Sequence, residues 1–510
     1  MSKEKILKTL EEHPAGLSIS DMADESDLHR NTVSSKIKDL VEEEEVKKKK
    51  VGSAKIYYLE EYSGIHEMDS QYEGENIQVG IGVSDLSDGF KAAQSAAKQA
   101  ANQAASGENP TFSLVFVSSE YNDQVEKVTK GFNKILGDDW MGCTSDSELN
   151  SILGFSRGTI EVLSLNSKYL HFSPTLIEDY RSEPKKKAKN AAEEVVDEAN
   201  VERSVHATSQ YMRSTKKDFS DIIKNPPYFV MTFPGGFYYD KDDKPVPGAE
   251  IEFLDGIKEV LGPHIPIIGG SASIPMENYF TQKKGPNYVF ANGKYAKSGA
   301  VVAFVVSELY FSYGLEHGFE KTTDMTLITE VGRQGRVIKE LDNKPALSRY
   351  SEVIDVDKED LLDDIGKYTM QRPVSVFDTS QNIYPKVALL NPQNKEFLQG
   401  SFKYGEGQSV MISSFNAEKT VNALKKSINN AVEDRNFDPA LVLFSTCGIR
   451  RILLEEDVEK AIDKVKQSYP EVPFFGFYTA GEIGGRRNQP AQYNNITATN
   501  LVISDKLQTE

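Results

Sequence analysis

Along most of the chain, short apolar runs alternate with longer stretches in which apolar residues return every three or four positions. This pattern predicts strands alternating with helices. The order strand, helix, strand, helix, glycine turn, strand first occupies Ile77–Val83, Asp88–Ala105, Phe112–Val117, Asn122–Leu136, Trp140–Leu149 and Thr159–Leu165. It returns over Ser409–Ser413, Ala417–Glu433, Leu441–Phe444, Glu455–Ser468, Pro473–Gly485 and Ile496–Ile503. The spacings agree, with 33 residues from Val79 to Phe112 and 31 from Val410 to Leu441. A shorter middle copy runs through helix Val205–Ile223, strand Tyr228–Phe233, helix Glu250–Leu261, turn Ile265–Ile274 and strand Ala300–Val306. The expected fold class is α/β, with parallel or mixed sheets covered by helices. Two related halves are expected, over residues 76–310 and 311–510, with the glycine turns lining crevices of the kind in which open α/β sheets bind ligands.

The first 60 residues follow a different pattern. Ile6, Leu7 and Leu10 share one face of a first helix, Ile19, Met22 and Ala23 one face of a second, and Val33, Ile37, Leu40 and Val41 one face of a third. The opposite face of the third helix carries Asn31, Ser35 and Lys38. Two short strands then flank Gly52-Ser53 within Glu45–Leu59, and residues 61–75 read as an acidic linker. Three short helices and a basic hairpin resemble the winged helix-turn-helix domain of archaeal and bacterial transcription regulators. The resemblance implies a recognition helix presenting Arg30, Asn31, Ser34, Ser35 and Lys38 to DNA, with Lys47, Lys48, Lys49, Lys50 and Lys55 of the wing on phosphates. A protein-docking role for the same module stays open.

Composition narrows the setting. The chain has 510 residues, 39% of them hydrophobic, and a formal charge of −18, so contact with DNA has to be local. No apolar run is long enough for a membrane helix and Met1–Leu10 lacks a signal-peptide core, so a cytoplasmic location is expected. Two cysteines, Cys143 and Cys447, and seven scattered histidines give no metal-binding pattern, and no cofactor is expected. Three connections are less informative: the charged stretch Tyr180–Ala199, a helix or exposed connection with a solvated face, the surface loop Asp240–Gly248, and a hairpin turning at Gly335 and again at Asp342-Asn343.

Phe112–Leu165, with GCTSDSE, and Asp255–Val306, with DGIKEVLGPHIPIIGGSAS, resemble the N-terminal half of the FIST domain. Thr326–Tyr350, Val387–Gly400 and Leu441–Ile503, with CGIR, GFYTAGEIGG and YNNIT, resemble its C-terminal half. The first turn departs from the family, having Thr-Ser-Asp-Ser where Ser-Thr-Ala-Gly is usual. The resemblance implies a sensory domain of prokaryotic signalling proteins that binds a small ligand, amino acids being the usual suggestion.

The residues add a candidate site. Cys447 and Arg450 follow one strand end, Thr479 and Glu482 the neighbouring one. Arg450 suits a carboxylate and Glu482 an ammonium, which together fit an amino acid or a small carboxylate. Asn495 and Thr497, with Tyr493 and Asn494, are expected to close the crevice, and Gly269, Gly270 and Ser271 of the second turn to join it. The plain alternative is an Arg450–Glu482 salt bridge. A nucleophilic Cys447 would need a base, and no His follows His317, so catalysis by Cys447, Arg450 and Glu482 ranks last. The leading expectation is a one-component regulator, a homodimer being compatible with it, in which the ligand alters the DNA affinity of the winged helix.

Overall fold

The structure, a computed structural model, describes residues 2–508 except 52–53, 63–70, 106–108, 200–225, 240–244, 247, 264, 278–284, 392, 401, 434–436 and 488. The expected helix Val205–Ile223 and most of the loop Asp240–Gly248 therefore lie outside the described residues.

The strand–helix alternation builds one unit three times. In the first copy the strands Trp140–Ser145, Phe112–Ser118, Ile160–Asn166 and Gln78–Ser84 lie side by side in that order, the first two parallel and the third antiparallel to both its neighbours. The same order recurs in Ile267–Gly270, Tyr228–Pro234, Ala300–Ser307 and Leu170–Ile177. It recurs again in Phe474–Thr479, Pro439–Cys447, Thr497–Leu507 and Leu309–His317.

Two differences from the sequence reading follow. The strand equivalent to Gln78–Ser84 in the last copy is Leu309–His317, not the strand around Val410, because residues 319–415 are inserted between that strand and its helix Ala417–Val432. The insertion ends in a strand, Ser409–Ile412, directly before this helix, so the linear order imitates the repeat. In the middle copy the charged stretch forms a helix, Pro184–Glu198, rather than an exposed connection, and beside its solvated face it buries Ala188, Ala191, Ala192, Val195 and Val196 against the sheet. Its lysines and glutamates occupy the opposite face, and they masked the apolar stripe.

Small residues bring helix and sheet close. Helix Gly89–Ala105 turns an alanine face, including Ala92, Ala93, Ala96, Ala97 and Ala100, to the strand that carries Gly80 and Gly82. A Cβ at Gly82 would stand 2.0 Å from the Ala96 carbonyl, and one at Gly314 in the last copy 2.1 Å from that of Ser427. No side chain fits there at native packing.

Beyond each glycine turn the chain crosses into a neighbouring copy. Glu148–Asn150 pairs with Phe474–Thr479, Glu482–Gly484 with Ile267–Gly270, and Tyr288–Ala291 with Trp140–Ser145. The three sheets thus close a ring of approximate threefold topology in which each copy donates a strand to another. The insertion is a mixed element of its own, an eight-stranded antiparallel sheet with helices Ala346–Ile354 and Lys358–Gln371. The expected hairpin is found there, with Gly335, Asp342 and Asn343 in left-handed conformations at its turns.

At the N-terminus, helices Ser2–Glu11, Ile19–Glu25 and Arg30–Glu42 precede the antiparallel strands Val46–Val51 and Ala54–Leu59. Leu17 adds a bridge to Tyr57. This module shares an apolar cluster with helix Gly89–Ala105. Ion pairs join the two as well, His13 Nδ1 with Asp85 Oδ1 at 2.8 Å and Lys91 with Asp24.

Candidate functional site

The register of the sheets defines three equivalent junctions. At the end of each central strand stand Ser118, Pro234 and Cys447; opposite them on the parallel neighbour stand Ser145, Ser271 and Thr479. Three positions further along come Glu148, Ile274 and Glu482. The closing strand is entered at Thr159, Ala300 and Thr497, just before the residues that pair with Val117, Phe233 and Thr446. The first and third junctions thus hold a Glu–Thr pair where the second holds Ile and Ala. Thr497 donates to Glu482 Oε2 from its N–H at 2.8 Å and its hydroxyl at 2.6 Å, and Thr159 Oγ1 donates to Glu148 Oε2 at 3.0 Å. Backbone bonds tie the turns together, from Ser271 N–H to Gly481 O at 2.9 Å, Asp146 N–H to Tyr478 O at 3.1 Å and Ser273 N–H to Thr144 O at 2.9 Å.

The third junction gathers the candidate residues Cys447, Arg450, Thr479, Glu482, Asn495 and Thr497, but as a closed interior. Arg450 is 1% exposed and Glu482 0%, so the open crevice inferred from the sequence is filled. Arg450 donates to the Thr446 hydroxyl and to Thr420 O, and it forms no ion pair with Glu482 within 4.0 Å. The salt bridge that the sequence allowed is absent. Its Nε and the Oε1 of Glu482 are buried without hydrogen-bond partners. Burial pushes the Glu482 carboxyl up to about 7 against the pull of the Thr497 hydrogen bonds, and it pushes the Cys447 thiol well up. A thiol held protonated is a poor nucleophile, which argues against cysteine chemistry.

One residue of this junction was not anticipated. Lys386, on edge strand Ile383–Lys386 of the insertion, is fully buried. It donates to Tyr493 O at 2.8 Å and lies 4.4 Å from the centre of the Phe402 ring. Burial lowers its pKa to about 7, the charge of Glu482 working the other way. A lysine inside the run Ile383-Tyr384-Pro385-Lys386 was a signal for a buried charge, but its distance in sequence from Glu482 hid the destination.

The first junction is a carboxyl pair. Glu148 also accepts from Ser145, while Glu161 accepts from Asn150 Nδ2 at 2.6 Å and from the Ser156 hydroxyl. Burial raises both, Glu161 to about 8, and Glu161 raises Glu148 further.

The other expected residues are placed as follows. Gly269 and Gly270 face protein, since a Cβ would stand 2.0 Å from Thr232 O and 2.8 Å from Thr479 Oγ1 respectively. Ser271 Oγ donates to Glu250 Oε1 at 3.0 Å. On the N-terminal module, Arg30, Asn31, Ser35, Lys38, Lys48 and Lys55 are exposed and Ser34, Lys47 and Lys49 half-buried. Lys47 pairs with Glu60 at 3.0 Å, and the side chain of Lys50 is outside the described residues. A separate groove of about 1070 Å³ runs between the copies and the insertion, past Arg157, Glu277, Asp364, Arg451 and Glu459. Arg451 there is pinned by Asp146 and Glu277, each at 2.8 Å. Among the described residues no helix is long and apolar enough to cross a membrane, and no cluster of His, Cys, Asp or Glu is placed to hold a metal ion.

The fold is thus a ring of α/β repeats with buried charges at its junctions, and comparison with known families names its class. The FIST N domain matches residues 73–344 and the FIST C domain residues 346–485, so the chain belongs to the FIST family, whose domains are generally signal-transduction sensory domains. An uncharacterized protein of Methanocaldococcus jannaschii, MJ1623, is 26% identical over 253 residues, covering 46% of this chain. The match spans 44% of that relative's length. PurLQS from Thermotoga maritima (9% identity, 86% of this chain and 74% of the other) and phosphoribosylformylglycinamidine synthase II from the same organism (11%, 85% and 74%) align with TM-scores of 0.19, too low to bear on fold or function.

Proposed function

We propose that this FIST protein is a one-component sensor in which a small molecule held at the third junction changes what the N-terminal module binds, DNA being the favoured target. The observation that carries the reading is the continuous apolar core between that module and helix Gly89–Ala105, reinforced by the His13–Asp85 and Lys91–Asp24 pairs. A module fixed in this way responds to movements of the ring, while Arg30, Asn31, Ser35 and Lys38 stay exposed on its third helix. The resemblance of residues 1–60 to a winged helix-turn-helix supports DNA as the target. Docking to a protein is the second reading, favoured by the exposed acidic run Glu42–Glu45 beside the wing and by the Lys47–Glu60 pair.

Binding to DNA from upstream of the protein's own gene, measured across salt concentrations, separates the two. DNA binding predicts an affinity that falls steeply with salt and a slope that flattens when Lys48 and Lys55 become Ala. Equal affinity for that DNA in wild type and the lysine variant would leave the protein-docking reading.

A further inference from the structure

The seam between the N-terminal module and the first copy is crossed by polar links that end on residues 85–91, just beyond strand Gln78–Ser84. His13 Nδ1 meets Asp85 Oδ1 at 2.8 Å, the Ser87 hydroxyl donates to Glu25 at 3.2 Å, and Lys91 pairs with Asp24. These links differ in burial. The side chains of Lys91 and Asp24 are 48% and 58% exposed, so water and salt screen them, whereas those of His13 and Asp85 are 11% and 15% exposed and keep more of their attraction. A turn holds the imidazole in place. After helix Ser2–Glu11 the His13 N–H donates to Leu10 O at 3.2 Å and its carbonyl accepts from the N–H of Gly16 at 2.9 Å, with Gly16 in the left-handed region at φ +79°. Ala15 in this turn is 4% exposed and joins an apolar cluster of the first copy.

We propose that the His13–Asp85 pair is a proton-operated latch, which holds the N-terminal module on the first copy while His13 is protonated and loosens it when the proton leaves. The groups around His13 make its charge matter. Glu12 precedes it, Glu25 reaches it from the second helix and Asp85 faces it from the first copy, while Lys91 is taken by Asp24 and Tyr121 donates its hydroxyl to Leu86 O at 2.8 Å. His13 is thus a largely buried cation among three carboxylates. Burial opposes its charge, but the hydrogen bond to Asp85 and the charges of Asp85, Glu25 and Glu12 outweigh that cost, and its pKa stands above the ordinary 6.5.

A released module would leave His13 in water, titrating at about 6.5. Between that value and the docked one, the docked state holds a proton that the released state has lost. Docking is therefore fully supported below about pH 6.5 and weakens as pH rises through the docked value. A neutral imidazole can keep the hydrogen bond, but Asp85 then stands beside Glu25 and Glu12 with no cation between them. The latch concerns docking alone, and it holds whether the module binds DNA or a protein.

The test is the rate at which a thiol reagent labels Ala15→Cys in the full chain at about pH 6 and about pH 8.5, divided by the rate for the unfolded chain at the same pH. Cys143 and Cys447 are buried, and the chain without the substitution gives their background. The normalised rate is expected to rise at least about threefold between the two pH values. His13→Gln and Asp85→Asn should each remove that rise, and Glu161→Gln, outside the seam, should leave it, because the module opens without unfolding the ring. Magnetic resonance of isotope-labelled histidine reads the same link with the seam unaltered. The His13 signal, identified by its loss in His13→Gln, should titrate above about 6.5 and move back toward it in Asp85→Asn. Labelling that is absent or does not rise with pH, a rise kept in His13→Gln or lost in Glu161→Gln, or a His13 signal titrating at or below about 6.5 overturns the proposal.

Discussion

In the first junction Glu148 meets a second carboxyl, Glu161; in the third Glu482 meets Arg450 and Lys386. Both carboxyls are anchored by the threonine that opens the closing strand. The repeat fixes where a buried carboxyl stands, and a handful of neighbours decide what it does. Glu161 makes the first junction self-contained, with Asn150 and Ser156 as its donors. Thr499, Gly484 and a lysine brought from the insertion leave the third with donors still unspent.

Breaking the shared frame should have the largest effect. Gly142 and Gly476 occupy the same place on the third strand of their copies, where a Cβ would stand 1.7 Å from Val115 O and 2.4 Å from Phe444 O. Gly142→Ala and Gly476→Ala should each cost about 3 kcal/mol or more in denaturant unfolding. A loss below about 1 kcal/mol in both would mean that the strands are not held as close as the frame requires.

Removing a carboxyl from the first junction sharpens the comparison through pH. Glu161 is raised in the folded chain from the ordinary 4.5 to about 8, so between these values the native state holds a proton that the unfolded state has released. Stability therefore falls as pH rises through that window. Glu161→Gln should flatten this fall, by on the order of 2 kcal/mol, in unfolding curves taken from pH 5 to 8. Curves that stay parallel would show that Glu161 titrates normally.

The smallest effect belongs to the surface: Lys48→Ala should leave stability within about 0.5 kcal/mol while lowering the salt slope of DNA binding.

Much of this was legible in the sequence, and the exceptions have physical causes. The apolar runs ending in small residues located the strand ends, and the carboxylate after Thr479-Ala480-Gly481 falls at the third junction. Arg450 was legible because it follows a strand end by a fixed interval. The openness of the site was not, because burial depends on which segment covers the turn, and the cover comes from residues 319–415. The same insertion displaced the first strand of the third copy to Leu309–His317 and brought Lys386 in. The packed face of helix Pro184–Glu198 was obscured by lysines and glutamates on its other side, while its alanines and valines are buried. The crossing of each turn into a neighbouring sheet leaves no mark in local pattern, since strand pairing between copies is a long-range choice.

The most direct measurement is thermal unfolding of wild type and Arg450→Met in the presence of amino acids and small carboxylates. The account predicts a compound that raises the midpoint of wild type and leaves that of Arg450→Met unchanged. A compound that shifts both equally, or none that shifts wild type, would contradict it.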